Sequence, residues 1–174
     1  MLSVRAVTRN RLTGFGIVSA LVVLAADQAS KWWILHGIDL PQVGQIVLLP
    51  VLNLTFVQNQ GVTFGLLAGF GPWVHILLAA MALAVVVALG VWLRRAESLV
   101  VAIALGAIAG GAIGNVIDRL RYGWVVDFIH AHWGNWSWYV FNVADAAIVC
   151  GVAALVIDSQ WPRASRQRAE TTNG

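Results

Sequence analysis

Four stretches of this chain are long and apolar enough to cross a bilayer as helices, and this limits the fold more than any other feature of the sequence. A helical span needs about 20 mostly apolar residues. Segments at roughly 13–35, 71–93, 99–117 and 139–157 meet that condition. The first follows arginines, as a signal peptide would. It is too long for a signal core, carries charges and lacks a small-x-small cleavage site, so it is read as a retained helix. With 59% hydrophobic and 11% charged residues and a mean hydropathy of +0.77, the chain has too little polar surface to coat a soluble globule. The expected fold class is membrane all-α: one integral membrane domain over residues 1–174, built as a four-transmembrane-helix bundle.

Eight of the eleven Lys/Arg residues fall in three clusters: Arg5, Arg9 and Arg11; Arg94 and Arg95; Arg163, Arg166 and Arg168. Each cluster flanks an apolar segment, and four crossings put all three on one side. By the positive-inside rule that side is cytoplasmic, with both termini and the solvated tail from about 159 to 174. The formal charge of +3 therefore reports topology. Aromatics do not interleave with the arginines as on a nucleic-acid surface, so no nucleic-acid partner is expected.

The connections at roughly 36–70 and 118–138 then face outward. The first, with "GQIVLLPVLNLTFVQNQGVTFG", alternates, is β-branched and carries breakers, which predicts a small β-rich element resting on the outer leaflet. The second is rich in Trp124, Trp133, Trp136, Trp138 and Tyr139, the residues that settle at a headgroup boundary, and is read as a turn between helices.

Polar groups inside such a chain mark function by default. Asp27 and Lys31 in "DQASK" stand at i, i+4 with the acid first, which suits an ion pair. A packed, neutralised pair and direct substrate contact both fit. Asn59 and Gly61 in "NQGVTFG" make either a turn or a backbone that approaches a peptide closely. In "GGAIGNVIDRLR", Gly110, Gly111 and Gly114 admit a neighbouring helix or a ligand. Asn115 and Arg119 share a face there, while Asp118 lies on another. Arg119 suits an interfacial anchor, a carboxylate partner, or a hold on lipid or a backbone carbonyl.

Asp127 in "WVVDF" and Asp145 in "FNVADAAI" are eighteen residues apart in very apolar surroundings. Asp145 is expected six residues, about 9 Å, inside the fourth helix, with Asn142 three residues earlier on the same face. A single intramembrane Asp is often a structural hydrogen-bonding group. Two at one depth, brought together from separate elements, can share a proton, one serving as base toward water and the other as acid.

Other chemistry is poorly supported. His130 and His132 fall at i, i+2 in an expected loop, with no thiolate cluster or H-E-x-x-H, so no metal is expected. Cys150 is expected to be a small buried apolar residue, and serine-nucleophile and phosphate-loop patterns are absent. A proton-coupled transporter also uses buried acids, but here they gather towards one leaflet, and the second segment carries only His75 near its outer end. A catalytically silent assembly factor is the third class.

"DQASK", "NQGVTFG", "GGAIGNVIDR", "VVDF" and "FNVAD", in that order from Asp27 to about Ala147, resemble the lipoprotein signal peptidase (signal peptidase II) family. The resemblance implies a bacterial inner-membrane aspartic endopeptidase without a cofactor, its site towards the periplasm. Its substrate would be a prolipoprotein bearing diacylglyceryl on its lipobox cysteine, cut just before that cysteine. Asp127 and Asp145 would be the catalytic pair. Asn115, Arg119 and Asn142 would form the polar shell, and Asn59 and Gly61 would approach substrate. Asp27 and Lys31 would support the outer structure, and Asp118 would be a supporting acid. Membrane lipid and the cyclic peptide globomycin are the implied partners, and nothing in the chain demands more than a monomer. Val62 and Thr63 stand where the family commonly has two alanines, and Ala146 where a serine is frequent. Neither departure removes a carboxylate.

Overall fold

The computed structural model describes residues 2–61, 73–134 and 136–160, with side chains from residue 10 onward. Val62, Thr63, the start expected for the second span and the tail from residue 161 lie outside the described residues. Five α-helices and four strands follow in chain order: α1 (Leu2–Trp32), α2 (Leu40–Val43), β1 (Gln45–Leu49), β2 (Leu52–Asn59), α3 (Val74–Leu93), α4 (Leu99–Tyr122), β3 (Val125–Trp133), β4 (Trp136–Ser137) and α5 (Val143–Gln160). Among the described residues, four helical segments are long and apolar enough to span a membrane: Asn10–Gly37, Val74–Leu93, Leu99–Tyr122 and Val143–Gln160. The chain is a multi-pass membrane protein.

The central helix is α4, which packs against α1, α3 and α5. Ser98 starts it by accepting the Val101 N–H at 3.1 Å, the usual N-cap bond. Gly123, at φ +81, ends it by adopting the left-handed conformation that side chains resist. Hydropathy had placed that end near residue 117. The polar "DRLRY" turn instead stays helical, with Asp118 buried and accepting the Val126 N–H while Leu120 and Arg121 are exposed.

Glycines set how closely the helices approach. A Cβ on Gly106 or Gly110 would strike the α1 backbone at Gly16 and Ala20, and one on Gly111 would strike the Ala144 carbonyl of α5. Without a hydrophobic drive between helices in lipid, such close backbone contact is a main source of association.

The β-rich element is one antiparallel sheet in the order β1–β2–β3–β4, and half of it comes from the second connection. That segment, expected to be a turn, is a nine-residue strand, so His130 and His132 lie on β3 rather than in a loop. β2 and β3 pair with Val57 opposite Asp127 and Asn59 opposite Val125, beyond a bulge between Leu54 and Val57. Under the sheet, Leu54, Val126 and Phe128 pack with Ile34 and Leu40 from the π-helical turn Trp33–Gly37 and α2. Phe141 exchanges two backbone hydrogen bonds with Ile129, at 2.8 and 3.0 Å, and so ties the entry to α5 against β3. Cys150, expected to be buried, is exposed on α5.

Candidate active site

Asp127 is only 1% exposed and sits on β3, and both of its oxygens are engaged. Asn59 Nδ2 donates to Oδ2 at 2.9 Å, and Asn142 Nδ2 donates to Oδ1 at 2.7 Å. Asn59 is itself oriented by the chain that follows it. The Gly61 N–H donates to Asn59 Oδ1 at 2.8 Å, which turns the amide nitrogen towards Asp127. Gly61 makes that turn at φ +72, where a side chain would be strained. The turn and the approach to the site are therefore one arrangement.

Asp145 stands in the first turn of α5, not six residues into a helix. α5 starts only at Val143 because Asn142 caps it. Asn142 Oδ1 accepts the Asp145 N–H at 2.9 Å, and Asp145 Oδ2 accepts the Asn142 N–H at 3.2 Å. This reciprocal pair is a capping box written with Asn and Asp. Asp145 Oδ1 accepts from Asn115 Nδ2 at 2.9 Å on α4, and Asp145 remains half-exposed.

The two carboxylates thus come from separate elements and share Asn142. Burial drives the Asp127 carboxyl up from the ordinary 3.8 to about 6, and the Asp145 charge adds to the rise. Donation from Asn59 and Asn142 works the other way and falls short of cancelling the burial. A carboxyl raised to about 6 beside a second carboxylate holds its proton into mildly acidic solution, which suits a division of labour between base and acid.

Below the pair lies a buried cation. Lys31 Nζ is 2.8 Å from Asp27 Oδ2 and 2.8 Å from Asp118 Oδ2, and it donates to Asn115 Oδ1 at 3.2 Å. Because Lys31 only donates, it fixes which end of the Asn115 amide faces Asp145. Asn142 Nδ2 also donates to Asn115 Oδ1, at 3.2 Å.

Asp27 accepts the Ala144 N–H at 3.0 Å, and Asp118 accepts the Val126 N–H at 3.1 Å. The two acids therefore join α1 and α4 to the start of α5 and to β3, close by both members of the pair. Gln28, which the sequence reading did not single out, donates to Asp118 at 3.1 Å, to Asp27 at 3.2 Å and to the Gly114 carbonyl at 3.3 Å. Its place next to Asp27 in "DQASK" was the available signal. A Cβ on Gly114 would overlap the Asp27 carboxylate, so that glycine makes room for a charge as well as for a helix.

Arg119 is half-buried and donates to the Asn115 carbonyl at 3.3 Å. It lies near enough to Asp145, Asp118 and Asp127 to feel their charges, without an ion pair to any of them among the described residues. Of the readings open for it in the sequence, the hold on a backbone carbonyl is the one seen. All ten residues singled out therefore fall in one connected region: Asn59, Gly61, Asp127 and Asn142 at its outer edge, Asn115, Arg119 and Asp145 beside them, and Asp27, Lys31 and Asp118 beneath.

A membrane bundle with a capping sheet and an unequal carboxylate pair, one buried and one half-exposed, fits a class: membrane hydrolases that work with acids. The comparisons narrow it. The family described as Signal peptidase (SPase) II matches residues 19–161. A "Lipoprotein signal peptidase" from Methylorubrum extorquens is 52% identical over 84% of this chain and 86% of that protein. Another from Methylobacterium radiotolerans is 47% identical over 91% of this chain and 93% of its own. A solved structure titled as a bacterial membrane enzyme determined by the in meso method at 1.9 Å resolution superposes with a TM-score of 0.74. It is 28% identical and covers 85% of this chain and 94% of that one. The chain belongs to the signal peptidase II family of aspartic peptidases, whose activity is cleavage of prolipoprotein signal peptides.

Proposed function

We propose that this peptidase cuts diacylglyceryl-modified prolipoproteins just before the lipid-modified cysteine, with Asp127 and Asp145 activating the attacking water. The observation that carries this reading is that Asn142 hydrogen-bonds both carboxylates, one on β3 and one at the start of α5. In the working form Asp127 holds the proton and Asp145 is ionised. Asp145 takes a proton from water as its oxygen bonds to the scissile carbonyl carbon. Asp127 supplies the proton that neutralises the developing oxyanion and takes it back as the carbonyl re-forms, and the proton taken by Asp145 passes to the leaving amine as the C–N bond breaks. Asn59 and Asn142 hold Asp127, Asn115 holds Asp145, and Arg119 offers its remaining donors to substrate or oxyanion.

The lipid chains stay in the bilayer, and the peptide enters between the sheet and the ends of α4 and α5. The arginine clusters support an inner-membrane placement with both termini cytoplasmic and the site on the periplasmic side. The protein acts as a monomer, and a cyclic peptide of the globomycin type would compete for the site.

The test is a gel-shift assay on a purified precursor, with and without the diacylglyceryl group, and mass analysis of the products. Cleavage of the lipidated form alone, at the bond before the cysteine, is the expected result. Equal turnover of the unlipidated form, or cleavage elsewhere, contradicts the proposal.

A further inference from the structure

A second polar constellation sits on the sheet, away from the carboxylate pair. Successive strand residues point to opposite faces, so His130 and His132 share one face of β3 and Asp127 takes the other. Asn53 is the register partner of His130 and Ser137 of His132, which puts both on the histidine face. Thr55 reaches it as well, with its hydroxyl 3.2 Å from His130 Nδ1.

Two buried polar atoms here have no partner among the described residues: His132 Nε2 and Asn53 Oδ1. Asn53 is 7% exposed. A buried polar atom left unpaired costs on the order of 1–3 kcal/mol, so two on one face of the sheet call for something to fill them. His130 is better satisfied, and its arrangement is directional. Its Nε2 lies 2.6 Å from Ser137 Oγ, and therefore points towards Ser137, the register partner of His132. When Thr55 Oγ1 accepts from Nδ1, the lone pair of the ring is on Nε2, as it is in a metal-bound histidine whose other nitrogen is held by an outer partner.

The geometry points to a site for a divalent transition-metal ion of the zinc kind, held by His130 Nε2, His132 Nε2 and Asn53 Oδ1, with Ser137 Oγ or water completing the set. Two imidazoles on one tetrahedral zinc, with Zn–N of about 2.1 Å, place their ring centres roughly 5 Å apart. Those of His130 and His132 are 5.7 Å apart, so a small side-chain rotation brings both onto one ion. A divalent cation satisfies an imidazole lone pair and an amide oxygen together; a water donating to both does so too, and metal titration separates the two. Nitrogen and oxygen donors of this kind favour zinc, nickel and copper over magnesium or calcium.

The experiment titrates Zn²⁺ into the full chain, purified in detergent without a polyhistidine tag, against a chromophoric chelator. One equivalent is expected to bind, with affinity falling at least tenfold in His132→Gln and in His130→Gln. Absence of stoichiometric binding, the result an ordered water alone would give, overturns the site, as does undiminished binding in the double variant. If the variants misfold, Co²⁺ added to the unaltered protein replaces them. Visible bands of a tetrahedral nitrogen–oxygen set are expected, and a thiolate charge-transfer band would assign the metal to Cys150 instead. Prolipoprotein cleavage by the His132→Gln variant is expected to stay within about twofold, because the site is on the far face from Asp127.

Discussion

Asn142 and Asp145 satisfy each other twice: the Asn142 side-chain oxygen takes the Asp145 N–H at 2.9 Å, and the Asp145 carboxylate takes the Asn142 N–H at 3.2 Å. The same Asn142 side chain donates to Asp127 at 2.7 Å. One residue therefore begins a helix and joins the two acids.

That double duty is separable. Asn142→Asp keeps an acceptor for the helix cap but loses the donor to Asp127. As a cap alone it should cost less than about 1 kcal/mol, since Asn and Asp are comparable there, while the new carboxyl, fully buried against Asp127 and Asn115 Oδ1, must take up a proton or add a further penalty. Cleavage should fall roughly a hundredfold or more, as when a preorganised donor is lost. Thermal unfolding and turnover measured on the same preparation check both halves. Asn142→Ala should lose stability and activity together.

Lys31 holds two buried acids at once. Lys31→Met leaves Asp27 and Asp118 without their shared cation and should cost about 3–5 kcal/mol, the usual penalty for breaking a buried ion pair from one side. Denaturant unfolding in detergent measures it. A cost below about 1 kcal/mol would mean the triad is solvated.

Glycines that look alike in the sequence should differ sharply. Gly114→Ala forces a methyl against the Asp27 carboxylate, and overpacking of this kind costs about 1–3 kcal/mol. Gly90→Ala, with nothing within 4 Å of the new methyl, should be neutral or stabilising by up to about 1 kcal/mol. The two unfolding midpoints, read against the unaltered protein, decide.

The pH profile follows from Asp127. Its carboxyl is pushed up to about 6, so it is protonated below that pH and loses its proton above it. With the proton needed on Asp127 and Asp145 ionised, kcat/KM of the free enzyme should fall as pH rises through about 6, up to tenfold per unit. A kcat/KM that instead rises through this range would assign Asp127 the role of base.

Much of this was legible in the residues, for definite reasons. Hydropathy alone located the four helices, because a bilayer demands long apolar runs whatever the neighbours are. The i, i+4 spacing of Asp27 and Lys31 gave their contact, because a helix fixes it. Asp118 as the second partner of Lys31 was not legible, since spacing within one helix says nothing about contacts to another.

β3 was missed for a similar reason. "VVDFIHAHW" alternates and is rich in β-branched and aromatic residues, but its strand state depends on pairing with Leu52–Asn59, far off in the chain. Its tryptophan-rich sequel drew attention to anchoring instead. The start of α5 was misplaced because hydropathy ran back to Tyr139. The signal that corrects it was present in "NVAD", an acceptor followed three residues later by an acid. Taking that as a helix start would have put Asp145 at the mouth of its helix.

The most direct measurement is cleavage of a diacylglyceryl-modified precursor by Asp127→Asn and Asp145→Asn, each shown by its unfolding profile to be folded. Both should lose at least about a thousandfold in turnover, as expected when either member of a unit that acts together is removed. Near-normal turnover by either variant would contradict the central claim that these two carboxylates form one catalytic site.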